Sequence, residues 1–218
     1  MHTMKKYMLL VVLLLSTAAT RAQGHLGVTL SPGISFNRVY TNPNNAGFAS
    51  AGAAFGFRIG AIYDHPFKEH CYVSTGLLYI AQHVAIKNEA LPLNIIEAHA
   101  LRYLQLPMLL KFYTSELTLD TRLYVTLGLL GQIKISERNT ELQKSHEKPF
   151  LETFRRWSLA GLLGVGIEYN ISLSTSVFTG ISYQHGLSSV IDKQAQNPSV
   201  SQVMGYSDLL SIDLGIRF

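Results

Sequence analysis

The chain is nearly free of cysteine: Cys71 stands alone among 218 residues. An internal disulfide is therefore excluded, and the paired spacing of a metal or redox site is missing, so Cys71 reads as a small strand residue. Charge is also scarce, at 15% against 47% hydrophobic residues, and the length allows one domain with little room for two. No apolar run reaches the roughly 18 residues that a membrane-spanning helix needs. No basic patch interleaved with aromatics is present, which argues against nucleic acid as a partner. None of the eight histidines shows a two-histidine helical spacing or lies near a cysteine pair, so no metal or other cofactor is expected and the histidines read as loop and rim residues. Gly161, Gly164 and Gly166 faintly suggest a phosphate loop, but the stretch continues as a strand where such a loop must open a helix. They read instead as room for large neighbours inside a barrel.

The longest apolar run, Tyr7 to Leu15, follows Lys5 and Lys6 and precedes the small residues Ser16 to Ala19. That order is a secretory signal peptide. A cut after Ala22 divides the chain into a leader, 1–22, and a mature domain, 23–218; no cysteine follows the cut, so a lipoprotein anchor is not expected. Losing Lys5, Lys6 and Arg21 lowers 18 basic residues to 15 against 14 acidic ones, and the charge from +4 to +1.

What remains is dominated by period-two alternation. The last residues show it best. Leu210, Ile212, Leu214, Ile216 and Phe218 alternate with Ser211, Asp213, Gly215 and Arg217, giving a strand with one apolar face and no polar tail. An exposed edge this apolar needs a cover, and closure into a barrel in lipid supplies one. Going back to the start, Leu26, Val28, Leu30, Ile34 and Phe36 form a first strand with an expected bulge at Pro32-Gly33. A second runs through Ala51, Ala53, Phe55, Phe57, Ile59, Ala61 and Tyr63, and a third from Tyr72 to about Ile86, where Leu77 to Ile80 leave the faces unassigned. In the fourth, Leu104, Leu106, Met108, Leu110 and Phe112 oppose Tyr103, Gln105, Pro107 and Lys111, with a kink or bulge expected at Pro107. Leu123 to Lys134, Trp157 to Tyr169 and Leu173 to Tyr183 complete eight strands with the closing one.

Between them, long stretches (Arg38 to Gly47, Lys87 to Ala98, Ser136 to Thr153, Ser188 to Gly205) alternate with short ones (Asp64 to His70, Thr114 to Leu119, Asn170 to Ser172). Long loops on one rim and short periplasmic turns on the other are the pattern of an outer-membrane barrel. The reading is an all-β, eight-stranded, antiparallel, up-and-down transmembrane β-barrel, exported and then inserted in the outer membrane, with that membrane's lipid as its first partner. Parity adds a second regularity. Arg58, Lys111, Arg122, Lys134, Glu168, Asp213 and Arg217 all oppose their strands' apolar faces, so they point into a lumen just wide enough for side chains and must pair there. Tyr63, Tyr79, Tyr113, Trp157, Tyr169 and Tyr183 lie near strand ends and suit interfacial aromatic girdles.

The phrase Tyr103-Leu104-Gln105-Leu106-Pro107, followed by Leu110, Lys111 and Tyr113 and preceded by Gly76-Leu77-Leu78-Tyr79, resembles the PorT-like outer-membrane β-barrels of Bacteroidetes. The resemblance spans most of the mature chain. It departs at Gln105, often glutamate in that family, and at Ala81-Gln82-His83, where a Lys-Gly pair is frequent. It implies an eight-stranded outer-membrane barrel, in a family some of whose members assist type IX secretion and gliding; it brings no catalytic residues. It also implies that the closing residues Leu210, Ile212, Leu214, Ile216 and Phe218 signal to the barrel assembly machinery.

The expected function is a non-enzymatic scaffold, adhesion or secretion-accessory protein, with secretion-system proteins as candidate partners. A soluble lipocalin-like barrel binding a small apolar ligand is the rival, and it requires apolar faces inward with Arg58, Lys111 and Glu168 exposed. A third reading is a lipid-modifying enzyme built on Ser182, His185 and Ser188.

Overall fold

The computed structural model describes residues 24–42, 48–50, 52–88, 95–142, 154–191 and 202–218. The expected leader, 1–22, lies outside them. The strands are β1 (His25–Asn42), β2 (Phe48–Ser50), β3 (Ala53–Lys68), β4 (Cys71–Asn88), β5 (Ile95–Tyr113), β6 (Thr121–Leu142), β7 (Trp157–Asn170), β8 (Ser176–Gly186) and β9 (Gln202–Arg217). Each pairs antiparallel with its neighbours, and β9 closes on β1, from Gly27 opposite Arg217 to Asn42 opposite Gln202. β2 and β3 both lie against β4, so they are one interrupted strand, broken near Gly52 with its φ of 119°. The result is a closed eight-stranded antiparallel barrel.

Closure satisfies every edge, and parity sorts the side chains. Leu26, Val28, Leu30 and Ile34 face out from β1, as do Leu106, Met108, Leu110 and Phe112 from β5 and Leu210 to Ile216 from β9. The registers also settle β4, whose Ser74, Leu78, Ile80, Gln82 and Val84 turn inward while Val73 and Leu77 turn outward. This outward apolar belt with an inward polar set is what a bilayer requires of a barrel wall.

Neither Pro32, the site of an expected bulge, nor Pro107, the site of an expected kink or bulge, inserts a bulge. β1 keeps one register on β9 across Pro32, from Leu30 opposite Leu214 to Gly33 opposite Ser211, and β5 keeps one register on β4 across Pro107, from Gln105 opposite Leu78 to Met108 opposite Thr75. Each proline, lacking an N–H, opens the ladder on one side without inserting a residue. The irregularities fall elsewhere: between Pro66 and Lys68 in β3, and at Ala98/His99 and Arg102/Tyr103 where β5 meets β6.

Several strands run further than hydropathy suggests. β1 continues through Arg38 to Asn42, β6 through Ser136 to Leu142, and β3 through Asp64 to Lys68, leaving only Glu69 and His70 as the turn. At the membrane's edges the outward face meets water while the inward face carries polar groups such as Asn37 and Asp64, so the ladder persists while the hydropathy alternation that reveals it stops. Leu173 is not an outward strand residue but lies in the turn before β8, fully exposed. Gly24 and Phe218 sit on the same rim as the short turns, the periplasmic rim of such barrels.

Candidate functional site in the barrel interior

The lumen is filled in layers. Near the short turns, β3, β5, β6, β7 and β9 aim Asp64, Lys111, Tyr113, Arg122, Glu168 and Arg217 at one another. Glu168 is fully buried; it accepts from the Tyr113 hydroxyl at 2.5 Å, from the Arg217 guanidinium, and from Arg122 at 3.5 Å, with Lys111 Nζ 4.0 Å away. Asp64 accepts from Lys111 at 3.3 Å, from Arg217 at 3.5 Å, and from Ser74. The Lys111 ammonium also lies 4.5 Å from the Tyr124 ring centre and 4.9 Å from that of Phe178. Such rings attract the cation that burial would otherwise penalise.

Further in, Arg58 donates to Asp213 at 2.9 Å and to Ser182 at 3.0 Å, and Ser182 in turn meets Ser211. Across the lumen Gln105 donates to Gln184 at 3.0 Å. The far end is apolar. Ile80, Val84, Leu101, Tyr103 and Leu209 surround Phe154, Val190 and Ile191, which enter from the chain ends next to β7 and after β8. Their backbone is tied in place: Arg155 N–H donates to Val190, Val190 N–H to Gly205, and Lys134 Nζ to the Phe154 carbonyl at 2.7 Å.

The sequence-predicted charges thus divide. Arg58, Lys111, Arg122, Glu168, Asp213 and Arg217 all face inward, Arg58 and Lys111 only 4% exposed. Lys134 is not part of their network; it sits at the other end with Glu137 at 2.8 Å. Asp64 was hidden in what reads as a turn, although it shares Arg58's parity. Tyr113 is no girdle residue: it shares Lys111's parity and is buried between Glu168 and Arg217. Tyr63, Tyr79, Trp157, Tyr169 and Tyr183 do stand on the outward face. Gly164 and Gly166 line the interior, and a Cβ on Gly166 would overlap the Tyr124 phenol, but Gly161 faces outward. His99 is not a rim residue; it is buried in the apolar end, its ring centre 4.9 Å from that of Phe154.

Leu210, Ile212, Leu214, Ile216 and Phe218 form one exposed apolar row, and Phe218 N–H donates to the Leu26 carbonyl at 2.7 Å. On the outer wall, Asp208 is buried although its parity points out; it accepts from Arg38 Nε at 2.7 Å and from the Gly186 N–H at 2.8 Å, where β8 ends. Sequence patterning gave no sign of that contact.

Chemically, the interior is a set of matched charges. Among the described residues no group of three or more His, Cys, Asp or Glu could hold a metal. Ser182, His185 and Ser188 are not brought together: Ser182 is inside with Arg58, His185 is outside against Tyr183, and the Ser188 hydroxyl accepts from the Leu159 N–H. The soluble-barrel reading is overturned, because the apolar faces point outward and Arg58, Lys111 and Glu168 are buried.

Comparison with known proteins agrees with this geometry. A family model described as an outer membrane protein beta-barrel domain matches residues 20–192. Comparison with curated protein sequences gives no match. Among solved structures, the outer membrane protein OprG of Pseudomonas aeruginosa is similar, at 13% identity and a TM-score of 0.55, covering 90% of this chain and 97% of that one. Neisserial surface protein A is similar more loosely, at 14% identity and a TM-score of 0.45, covering 88% of this chain and 97% of that one.

Proposed function

Because the chain belongs to the outer membrane protein beta-barrel domain family, we propose that it is a non-enzymatic scaffold of the outer membrane. Its work is done by loops and rim, in adhesion or as an accessory to secretion, and not by passage through its lumen. One observation carries this reading: the lumen is closed twice, by the Asp64–Lys111–Glu168–Arg217 network near the short turns and by Phe154, Val190 and Ile191 at the other end. Between them the cavity beside Arg58, Lys111 and Asp213 has only about 70 Å³. The resemblance of Tyr103 to Pro107 and their neighbours to PorT-like barrels favours the secretion-accessory form, with type IX secretion proteins as partners.

Reconstitution in planar lipid bilayers tests the closed lumen. Steady open-channel conductance in the unaltered protein would refute the scaffold reading, whereas a silent bilayer with correctly folded barrels is the expected result. Replacing Ser182, His185 and Ser188 together is expected to leave envelope lipid composition unchanged. In cells, cross-linking through the outer-rim loops is expected to capture envelope proteins, with secretion components among them if the resemblance extends to role.

A further inference from the structure

Just beyond the apolar belt, the outward face differs from one sector to the next. On the side of β8, β9 and β1 the half-buried Arg38 is neutralised, since it grips Asp208 through two nitrogens at 2.7 and 3.1 Å. On the side of β5, β6 and β7, Arg102, Arg138, Arg155 and Arg156 are all exposed. Arg102 lies opposite Ser136 and Arg138 opposite Ala100, so the two are diagonal neighbours across one ladder. Phe154 turns into the barrel, which puts Arg155 outside, and the Arg156 carbonyl accepts from Lys134 N–H beside that ladder. The nearby described carboxylate, Glu137, turns inward to Lys134 and His99. Among the described residues Arg102, Arg155 and Arg156 form no ion pair.

Position identifies what these side chains meet. Arg102 is two residues past the outward Leu104, hence at most about 7 Å further along the strand. Ile135 and Trp157, 58% and 64% exposed, lie in the same sector. Cations projecting sideways from the wall over exposed apolar side chains lie at the level of lipid headgroups, with their stems in the hydrocarbon boundary. A soluble polyanion above the rim would meet them only edge-on.

We propose that the outer rim of β5, β6 and β7 is a binding surface for anionic, phosphate-bearing lipid headgroups of the outer leaflet. The guanidinium forks of Arg102 and Arg155 take phosphate oxygens, and Ile135 and Trp157 rest against the acyl chains. Lipid is thereby held on one flank of the barrel and not uniformly around it.

Trp157 is the chain's single tryptophan and stands at this surface, so its fluorescence reports the local lipid. The full-length mature barrel is reconstituted in mixed phosphatidylglycerol and phosphatidylcholine vesicles in which one lipid at a time carries bromine on its acyl chain, a quencher of tryptophan. Brominated phosphatidylglycerol is expected to quench more strongly at equal mole fraction, reporting at least about fivefold local enrichment, the contribution of about one arginine. The enrichment should shrink at high salt. Arg102→Gln with Arg155→Gln should bring the two lipids to equal quenching, while Lys68→Gln on the opposite rim should not. Equal quenching in the unaltered protein overturns the proposal without need of any other variant, as does an enrichment that survives the double substitution. Loss of enrichment on adding millimolar inorganic phosphate at constant ionic strength would overturn the commitment to lipid.

Discussion

Replacing Glu168 by alanine tests the interior most directly. In the unaltered protein the floor of the lumen holds Lys111, Arg122 and Arg217 against Asp64 and Glu168, with Arg122 partly open to the short-turn rim. Removing Glu168 takes away an acceptor of Tyr113, Arg217 and Arg122, and leaves Lys111 and Arg217 with Asp64 alone. A hydrogen bond to a charged group contributes roughly 1.5–3 kcal/mol, and breaking a buried pair costs about 3–5 kcal/mol because its partner stays buried and unmatched. The bonds from Tyr113, Arg217 and Arg122 are all lost here, so the expected destabilisation is about 3 kcal/mol or more. Reversible urea unfolding in lipid vesicles measures it, with heat-modifiable gel migration reporting the folded fraction. The same substitution made on Lys111→Met should cost less, since one unmatched cation has already gone. A loss below about 1 kcal/mol, or no relief from Lys111→Met, would refute the claim that this network holds the floor together.

Three further outcomes follow from the placement of side chains. Ile167→Arg, on the outward face beside Glu168, should cost roughly 2 to 4 kcal/mol near the bilayer midplane, and less near an interface, in the same unfolding assay. Gly166→Val should destabilise by about 1–3 kcal/mol through overlap with the Thr179 carbonyl and the Tyr124 phenol, and Tyr124→Ala should relieve only the second part of that cost, read from a double-mutant cycle. Deleting Leu214 to Phe218 should block membrane assembly, because β1 would lose its partner from Gly27 to Leu30, whereas Phe218→Ala should lower the yield of inserted barrel more than its stability; heat-modifiable migration of membrane fractions distinguishes the two.

What could be read without a structure was whatever a two-residue period encodes. A bilayer outside and a polar lumen inside force alternate residues to differ, so parity alone assigned the inward set from Arg58 to Arg217 and the outward row from Leu210 to Phe218. Where the period has no physical cause, the reading failed. The strands that continue past the membrane at Arg38, Ser136 and Asp64 have water or a packed lumen on both sides, and nothing in their hydropathy marks where pairing stops.

Tertiary structure alone decided which inward groups meet. Asp64 and Glu168 are far apart in sequence, yet both receive Arg217, because closure of the barrel brings β3 and β7 within reach of the final strand. It also decided that Phe154, Val190 and Ile191 turn back into the lumen, and that Asp208 turns aside to cap the end of β8. Those choices depend on distances across the lumen and along the rim, which the alternation of a single strand does not encode.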